Sequence, residues 1–235
     1  MKTQGVKPFW TAIIAALFFF AACAQPGNGT NQDQTDIQER SQVKIVTDMG
    51  DITIELFNET PEHRDNFLKL VNEAYFDGIL FHRVINGFMI QAGDPHSKDA
   101  VPGEPLGSGG PGYTVTAEIV PGLFHHKGAL AAARLGDQMN PERRSSGSQF
   151  YIVQGRVWSH EELDQMEADR GIQFTEKARE AYTTIGGTPH LDTAYTVYGR
   201  VVSGLEIVDM IAATETGERD RPVQDVSIIR MEVIK

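Results

Sequence analysis

The chain has 235 residues, of which 40% are hydrophobic and 9% aromatic, and its formal net charge at pH 7 is −11. This length and apolar content allow one sizeable hydrophobic core and exclude a chain of several ordinary domains. Because a negative protein repels a phosphate backbone, we do not expect nucleic acid to be a partner.

The first segment has the pattern of an export signal. Lys2 and Lys7 precede an apolar run over residues 9–22, which is too short for a transmembrane helix and has the length of a signal-peptide core. Small residues then precede Cys23, the only cysteine. This arrangement resembles a bacterial lipobox, although Phe20 stands where leucine is usual.

The resemblance implies a signal peptide over residues 1–22 and a lipid on Cys23, and the alternative is an ordinary signal peptide that ends near a cysteine. Both predict export, and the lipid would anchor the protein outside the cytoplasm to a bacterial membrane, facing the periplasm or the cell surface. Residues 23–41 are rich in Gln, Asn, Gly and Thr, which is typical of a flexible tether. The folded domain is therefore predicted over residues 42–235.

The first part of this domain contains a hairpin and a helix. Alternating apolar residues over 43–56, interrupted by Gly50, predict two antiparallel strands joined by a tight turn. Thr60 and Pro61 are favourable as the N-cap and the first residue of a helix, and apolar residues recur after them at helical spacing. We expect this helix to end near Gly78.

The rest of the domain is a series of short strands separated by glycine and proline. Leu205, Val208 and Ile211 predict a second helix. Further strands are predicted over residues 81–91, 129–133, 149–153, 195–202 and 226–234. Many short strands with one helix early and one late favour a mainly β fold, an antiparallel barrel capped by helices.

One stretch interrupts this pattern. Charged, helix-prone sequence over residues 158–184 predicts a helical insertion of about residues 156–187. Two interpretations stay open: the insertion is a solvated decoration of a loop, or it is a docking element beside Leu191, which follows it closely.

The segment over residues 81–94 carries the most chemistry. It places an imidazole, a guanidinium, a carboxamide, an aromatic ring and a thioether on one strand and its turn. The array is compatible with an apolar pocket that has polar groups at its rim, or with an amphipathic strand whose polar groups are solvated.

Three segments, in order along the chain, resemble the signature of cyclophilin-type peptidyl-prolyl isomerases. They are Phe81-His82-Arg83 through Gly93-Asp94, then Gly128 to Arg134 with Ser148 to Ile152, and finally His190-Leu191-Asp192 with Tyr198 to Val202. The likeness covers residues 43–235.

The resemblance implies an eight-stranded antiparallel cyclophilin-like barrel capped by two helices. It implies a peptidyl-prolyl cis-trans isomerase (EC 5.2.1.8) that accelerates rotation about X-Pro bonds in exported proteins. The partners would be proline-containing polypeptides, with no cofactor and no metal, and we expect a monomer.

Carried over residue by residue, the resemblance assigns catalysis to Arg83, as the donor that stabilises the twisted amide, together with Phe88, Gln91 and His82. The substrate-binding residues that it implies are Met89, Ala133, Arg134, Gln149, Tyr151, His190, Leu191 and Tyr195.

Several positions depart from the best-known eukaryotic pattern of this family. His190 stands where many members have a tryptophan tied to cyclosporin binding, so we expect weak cyclosporin binding. Tyr151 and Tyr195 replace phenylalanine and histidine, and Ala92 and Arg134 replace glycine and asparagine.

Two other features resemble functional motifs but lack the surrounding sequence that such motifs require. Residues 107–112 fit a nucleotide-binding glycine motif, but a proline lies inside it and no strand-to-helix context surrounds it. His125 and His126, even with His96 and His190, lack the spacing of metal ligands, so we predict that they are surface histidines.

Two competing functions stay open. A binding module would keep the barrel and hold proline-containing segments with little catalysis, whereas an assembly factor would act mainly through the insertion. Arg83 favours the enzyme, because a pure binder gains little from a donor aimed at a twisted amide nitrogen.

Overall fold

The computed structural model describes residues 39–235. The predicted signal peptide, the predicted lipid on Cys23 and the tether up to residue 38 lie outside the described residues. At the end of the predicted tether, Arg40 is placed against the domain, where it pairs with Glu55 and Glu59 at 3.2 and 2.6 Å.

Eight strands form one antiparallel sheet, in the order β10-β1-β2-β9-β6-β8-β4-β3. They are β1 Gln42–Thr47, β2 Gly50–Leu56, β3 Arg83–Ile85, β4 Met89–Ala92, β6 Ala129–Ala132, β8 Phe150–Val153, β9 Val197–Ser203 and β10 Ile228–Val233. A separate two-stranded sheet contains β5 Thr114–Val115 and β7 Ser145–Ser146.

The sheet curls until its two ends meet. Backbone hydrogen bonds join the residues just before β3 to the beginning of β10. Phe81 N–H donates to the Val226 carbonyl at 2.9 Å, and Ile228 N–H donates to the Ile79 carbonyl at 2.8 Å. The predicted eight-stranded antiparallel fold is thereby confirmed.

Alternate side chains of β1 and β2 fill the inside of the curled sheet. Val43, Ile45, Ile52 and Ile54 are each fully buried, and the residues between them face outward. Aromatic rings complete this core, which we call the barrel core: Phe150 packs edge-on against Phe67 and Phe76, with ring centroids 5.5 and 5.7 Å apart.

One helix covers the barrel core early in the chain. Helix α1, Pro61–Asn72, ends at Asn72, so the expected end near Gly78 was wrong, and turns follow up to that glycine. Thr60 is its N-cap residue but makes no side-chain capping bond. The Glu118 carboxylate caps the helix instead, accepting from the backbone N–H of residues 62 and 63 at 3.1 and 2.9 Å.

The predicted late helix is α4, Leu205–Ala212, which buries Val208 and Ile211. It begins after Gly204, whose φ is 85° and where an added Cβ would lie 2.2 Å from the Asp51 carbonyl oxygen. Only glycine fits this junction between β9 and the helix.

The predicted helical insertion is present as two helices, α2 His160–Arg170 and α3 Glu176–Thr184. A capping box of Ser159 and Glu162 starts α2, and Gly171 ends it in the left-handed conformation. Leu163, Ala178 and Tyr182 bury the inner side of both helices against Phe124. Within residues 39–235, no helix combines the length and apolar character needed to cross a membrane.

Candidate active site

The turn between β3 and β4 brings a guanidinium and a carboxamide together. The strands pair with Arg83 opposite Gln91, and Gly87 in the turn has a φ of 77°. Residues directly opposite each other on antiparallel strands extend from the same face. Arg83 Nη1 accordingly donates to Gln91 Oε1 at 3.4 Å.

A chain of carboxamides continues from Gln91. Gln91 Nε2 donates to Gln149 Oε1 at 3.1 Å, and Gln149 Nε2 donates to the carbonyls of Gly107 and Gly109 at 3.0 and 2.8 Å. Gln149 is only 8% exposed, so an unpaired amide there would be costly. The chain therefore fixes Gln91 with its oxygen toward Arg83.

A loop far along the sequence supplies an acidic partner for Arg83. Arg83 Nε donates to Asp220 Oδ2 at 3.4 Å, across 137 residues of chain. Arg219 and Asp220 have positive φ angles of 59° and 62°, which are uncommon outside glycine. The two side chains of the ion pair are 40% and 47% exposed, so solvent screens the pair and its effect is to orient the guanidinium.

Arg221 anchors the loop that carries Asp220. Its guanidinium makes two bonds of 2.9 Å to Asp225 and donates to the carbonyls of Val101 and Glu104 at 3.0 and 3.3 Å. The side chain is buried, and it joins residues 101–107 to residues 217–225. These two loops form one side of the cavity described next.

An apolar patch on the outer face of the sheet adjoins Arg83. We call it the cavity cluster; its buried members are Phe57, Met89, Ala129, Ala131, Tyr151, Val153 and Val197. A cavity of about 730 Å³ opens over this patch. Its lining includes the predicted site residues His82, Arg83, Phe88, Met89, Gln91, Ala133, Arg134, Tyr151, Leu191 and Tyr195.

Two predicted site residues do not line the cavity. Gln149 lies behind Gln91. His190 is exposed, and its ring stacks on Phe88 with centroids 5.5 Å apart. Partial burial lowers the pKa of His190, which favours the neutral imidazole beside that ring. The expected weak binding of cyclosporin stays a prediction.

The guanidinium of Arg134 is held by the protein. It lies 4.5 Å over the ring of Tyr195, donates to the Ala194 carbonyl at 2.8 Å and pairs with Asp137 at 2.6 Å. These contacts fix the guanidinium beside Tyr195, at the edge of the cavity.

His125 is buried, so the prediction of surface histidines was wrong for this residue, which is 1% exposed. It fills a hydrogen-bonded site between Asp192 and Tyr151, at 2.8 and 3.0 Å from its two ring nitrogens. His126 is half-buried, and its Nδ1 donates to the Lys127 carbonyl at 2.8 Å. His96 is exposed, as expected.

His82 lies inward of Arg83, at the floor of the cavity. It is 4% exposed, and an added Cβ on Gly107 would lie 3.6 Å from its Nε2. Burial lowers the pKa of His82 to about 4, against an opposing attraction from Asp94. The imidazole next to Arg83 is therefore neutral at pH 7 and adds no positive charge to the site.

Asp220, Arg221 and the loop around them were missed by sequence reasoning. The hairpin places Gln91 opposite Arg83 through local strand pairing, but nothing local to residues 217–225 indicates a contact with β3. Within residues 39–235, no group of three or more His, Cys, Asp or Glu side chains is arranged to hold a metal ion.

The chain resembles known proteins over its described domain. The sequence model for the family described as "Cyclophilin type peptidyl-prolyl cis-trans isomerase/CLD" matches residues 42–233. A Staphylococcus aureus (strain USA300) protein named as a peptidyl-prolyl cis-trans isomerase is 37% identical over 198 residues, which are 83% of this chain and 93% of that protein.

A second relative is longer. It is a Streptococcus pyogenes protein named as a bifunctional phosphatase/peptidyl-prolyl cis-trans isomerase, 39% identical over 208 residues. The match includes 85% of this chain and spans only 40% of that relative's length.

Solved structures show the same fold. The crystal structure of a cyclophilin type peptidyl-prolyl cis-trans isomerase from Cryptosporidium parvum has a TM-score of 0.60 and 24% sequence identity, with 84% of this chain and 99% of that chain covered. A second structure of that protein, in the presence of the dipeptide Ala-Pro, has a TM-score of 0.59 and 23% identity.

Proposed function

The chain belongs to the family of cyclophilin-type peptidyl-prolyl cis-trans isomerases, and we propose that Arg83 is the donor with which this isomerase accelerates rotation about X-Pro bonds. The observation that carries the proposal is the position of its guanidinium. It is held by Gln91 and Asp220 at the edge of an apolar patch that can take a proline ring.

The chemistry of rotation calls for such a donor. The barrier is about 18 to 20 kcal/mol because amide resonance must be broken, and X-Pro bonds flip over roughly tens to hundreds of seconds. At the twisted transition state the proline nitrogen regains its lone pair and accepts a hydrogen bond, which a planar amide nitrogen does poorly. A donor aimed at that nitrogen binds the transition state better than either isomer.

Arg83 suits this role because its charge is permanent and its orientation is constrained. Nη1 and Nε are directed by Gln91 and Asp220. Among the described residues, no acceptor bonds to Nη2, so this nitrogen can serve the substrate. Shortening the flip from about 100 s to about 1 ms requires about 7 kcal/mol, for which a charge-assisted bond and the removal of water are the sources we propose.

The apolar patch would hold the pyrrolidine ring while the acyl side turns. Met89 and Tyr151 form its buried base, and Phe88 and Leu191 form its half-buried sides. The Arg83 guanidinium carbon lies 6.0 Å from the centre of the Phe88 ring, so the ring site and the donor adjoin. Proline-containing polypeptides are therefore the proposed substrates, bound by a monomer.

The test compares two arginines of similar exposure. Arg83→Ala in the purified full-length chain is expected to lower kcat/KM for a short X-Pro peptide by about 100-fold, the typical loss of one transition-state donor. Arg200→Ala is the control, because Arg200 is 47% exposed and pairs with Glu55 on another strand. Equal, slow rates from folded wild-type and Arg83→Ala proteins would instead support the binding-module alternative.

We further propose that the substrates are exported proteins and that a lipid on Cys23 anchors the enzyme to a bacterial membrane. The support is the sequence of residues 1–23. Cys23→Ser is expected to move the protein from the membrane fraction to the soluble fraction of its host, with Arg83→Ala as a variant that stays in the membrane. Recovery of the wild-type chain in the soluble fraction would contradict the anchor.

A further inference from the structure

The helical insertion is joined to the cavity cluster by a chain of buried hydrogen bonds. Tyr182, on α3, donates from its hydroxyl to Asp192 Oδ2 at 2.6 Å. Asp192 Oδ1 lies 2.8 Å from Nδ1 of His125 and 2.9 Å from its backbone nitrogen. Nε2 of the same histidine lies 3.0 Å from the Tyr151 hydroxyl. We call these four side chains the relay.

The chemistry of the groups sets the direction of these bonds. An ionised carboxylate only accepts, so both Tyr182 O–H and His125 Nδ1–H donate to Asp192. The Tyr151 hydroxyl, which can both donate and accept, pairs with the remaining ring nitrogen of His125. Burial raises the pKa of both phenols, which keeps each of them protonated as a donor.

The relay is closed to solvent. Tyr182, Asp192, His125 and Tyr151 are 0%, 7%, 1% and 4% exposed. A buried hydroxyl without a partner is strongly unfavourable, so Tyr151 keeps its hydroxyl turned toward His125. That orientation leaves the rest of the Tyr151 ring to form an apolar wall of the cavity.

The insertion also holds the backbone on both sides of Leu191, which lines the cavity. Arg170, at the end of α2, donates to the carbonyls of Pro189 and Asp192 at 3.2 and 3.4 Å. Trp158 Nε1 donates to the Gly187 carbonyl at 2.9 Å. Leu191 lies between Pro189 and Asp192, so Leu191 and Tyr151 of the cavity lining are both connected to the insertion.

We propose that Tyr182 is a positioning residue for the proline site and acts through Asp192 and His125 on Tyr151. The insertion is then a buttress of the site, which differs from both interpretations that its sequence left open. The inference rests on the proposed function, since it assigns Tyr151 to the wall that holds the proline ring.

The test removes one hydroxyl at a time from the full-length chain. Tyr182→Phe keeps the ring packed against Phe124 and Phe174, whose centroids each lie 5.6 Å away. We expect KM for a short cis-prolyl peptide to rise about 3- to 10-fold, the size usual for coupling within one network. Because the wall binds the ring in the ground state and the transition state alike, kcat should change little. A merely structural role would lower the active fraction and leave KM unchanged.

A double variant tests the coupling itself. In the Tyr151→Phe background the relay has no hydroxyl to position, so adding Tyr182→Phe should raise KM no further. Tyr113→Phe is the matched control, because it removes a hydroxyl that bonds Asn66 at 2.8 Å outside the cavity. The ¹⁵N shift of His125 Nδ1 should move in Tyr182→Phe, because Asp192 loses the donor on its other carboxylate oxygen.

A wild-type KM in folded Tyr182→Phe, or KM effects that multiply in the double variant, would overturn the relay. Should Tyr182→Phe fail to fold, Tyr151→Phe breaks the other end of the relay and must raise KM by the same factor. A fully active Arg83→Ala would contradict the proposed catalytic donor and leave the KM test of the relay intact, so the two failures are distinguishable.

Discussion

Strand β8 presents two buried faces with different tasks. Phe150 and Ile152 point into the barrel core and are 1% and 0% exposed, whereas Tyr151 between them is 4% exposed and belongs to the cavity cluster. The inner face contains only apolar side chains that pack against one another. On the outer face, Tyr151 makes apolar contacts and also belongs to the relay, and it lies beside the Gln149 carboxamide. Burial alone therefore does not separate the residues of β8 that pack in the barrel core from the residue that lines the cavity, whereas strand alternation does.

The largest expected effect on stability comes from a substitution on the inner face of β8. Phe150→Ala removes a ring that packs against Phe67 and Phe76 and should lower the free energy of unfolding by about 3 to 5 kcal/mol. Its activity per folded molecule should stay close to that of the wild-type protein. Urea unfolding gives the first quantity, and peptide isomerisation corrected for the folded fraction gives the second. A tenfold loss of activity in folded Phe150→Ala would mean that the two faces are not separable.

His82 provides a second test of the distinction between core and cavity residues, because it is buried and also lines the cavity. Its pKa is lowered to about 4 in the folded protein, while an unfolded chain binds the proton near its ordinary value of about 6.5. Stability from this group is thus fully present above pH 6.5 and is lost as the pH falls toward 4, by about 3 kcal/mol.

The measurement for His82 is urea unfolding between pH 7 and pH 4. His82→Gln should lose stability less steeply than the wild-type protein over this range, because its side chain does not titrate. Other histidines with lowered pKa values, such as His63, are common to both proteins and cancel in the difference. Parallel stability curves for the two proteins would count against a buried neutral His82.

The smallest expected effect lies on the outer face. Gln149→Leu removes the donor and acceptor that fix Gln91, so kcat/KM should fall about tenfold, equivalent to about 1.4 kcal/mol. The free energy of unfolding should fall by about 1 kcal/mol. Gln165→Leu is the control, since within residues 39–235 Gln165 bonds only to Asp169, on the insertion surface. Unchanged activity would show that Arg83 and Gln91 are oriented without the carboxamide chain.

The sequence by itself determined the local elements of this protein. Alternation over residues 43–56 predicts the first hairpin, and helix-prone sequence over residues 158–184 predicts a helical insertion, which the structure shows as two helices. The resemblance to the family assigned Arg83, Phe88, Gln91 and Leu191 to one site. The structure places these four residues around one cavity. These predictions succeed because strand and helix periodicity, turn residues and strand pairing across a short turn are properties of neighbouring residues.

Only the tertiary structure decided the contacts between distant loops. Asp220 reaches Arg83 across 137 residues, and Glu118 caps α1 in place of Thr60. His125, which the sequence presents as a surface histidine, is enclosed because Asp192 and Tyr151 converge on both of its ring nitrogens. No local sequence pattern predicts these contacts, because they form only when the sheet curls and its loops pack together. A polar side chain becomes part of a network only where that packing removes water and supplies a partner.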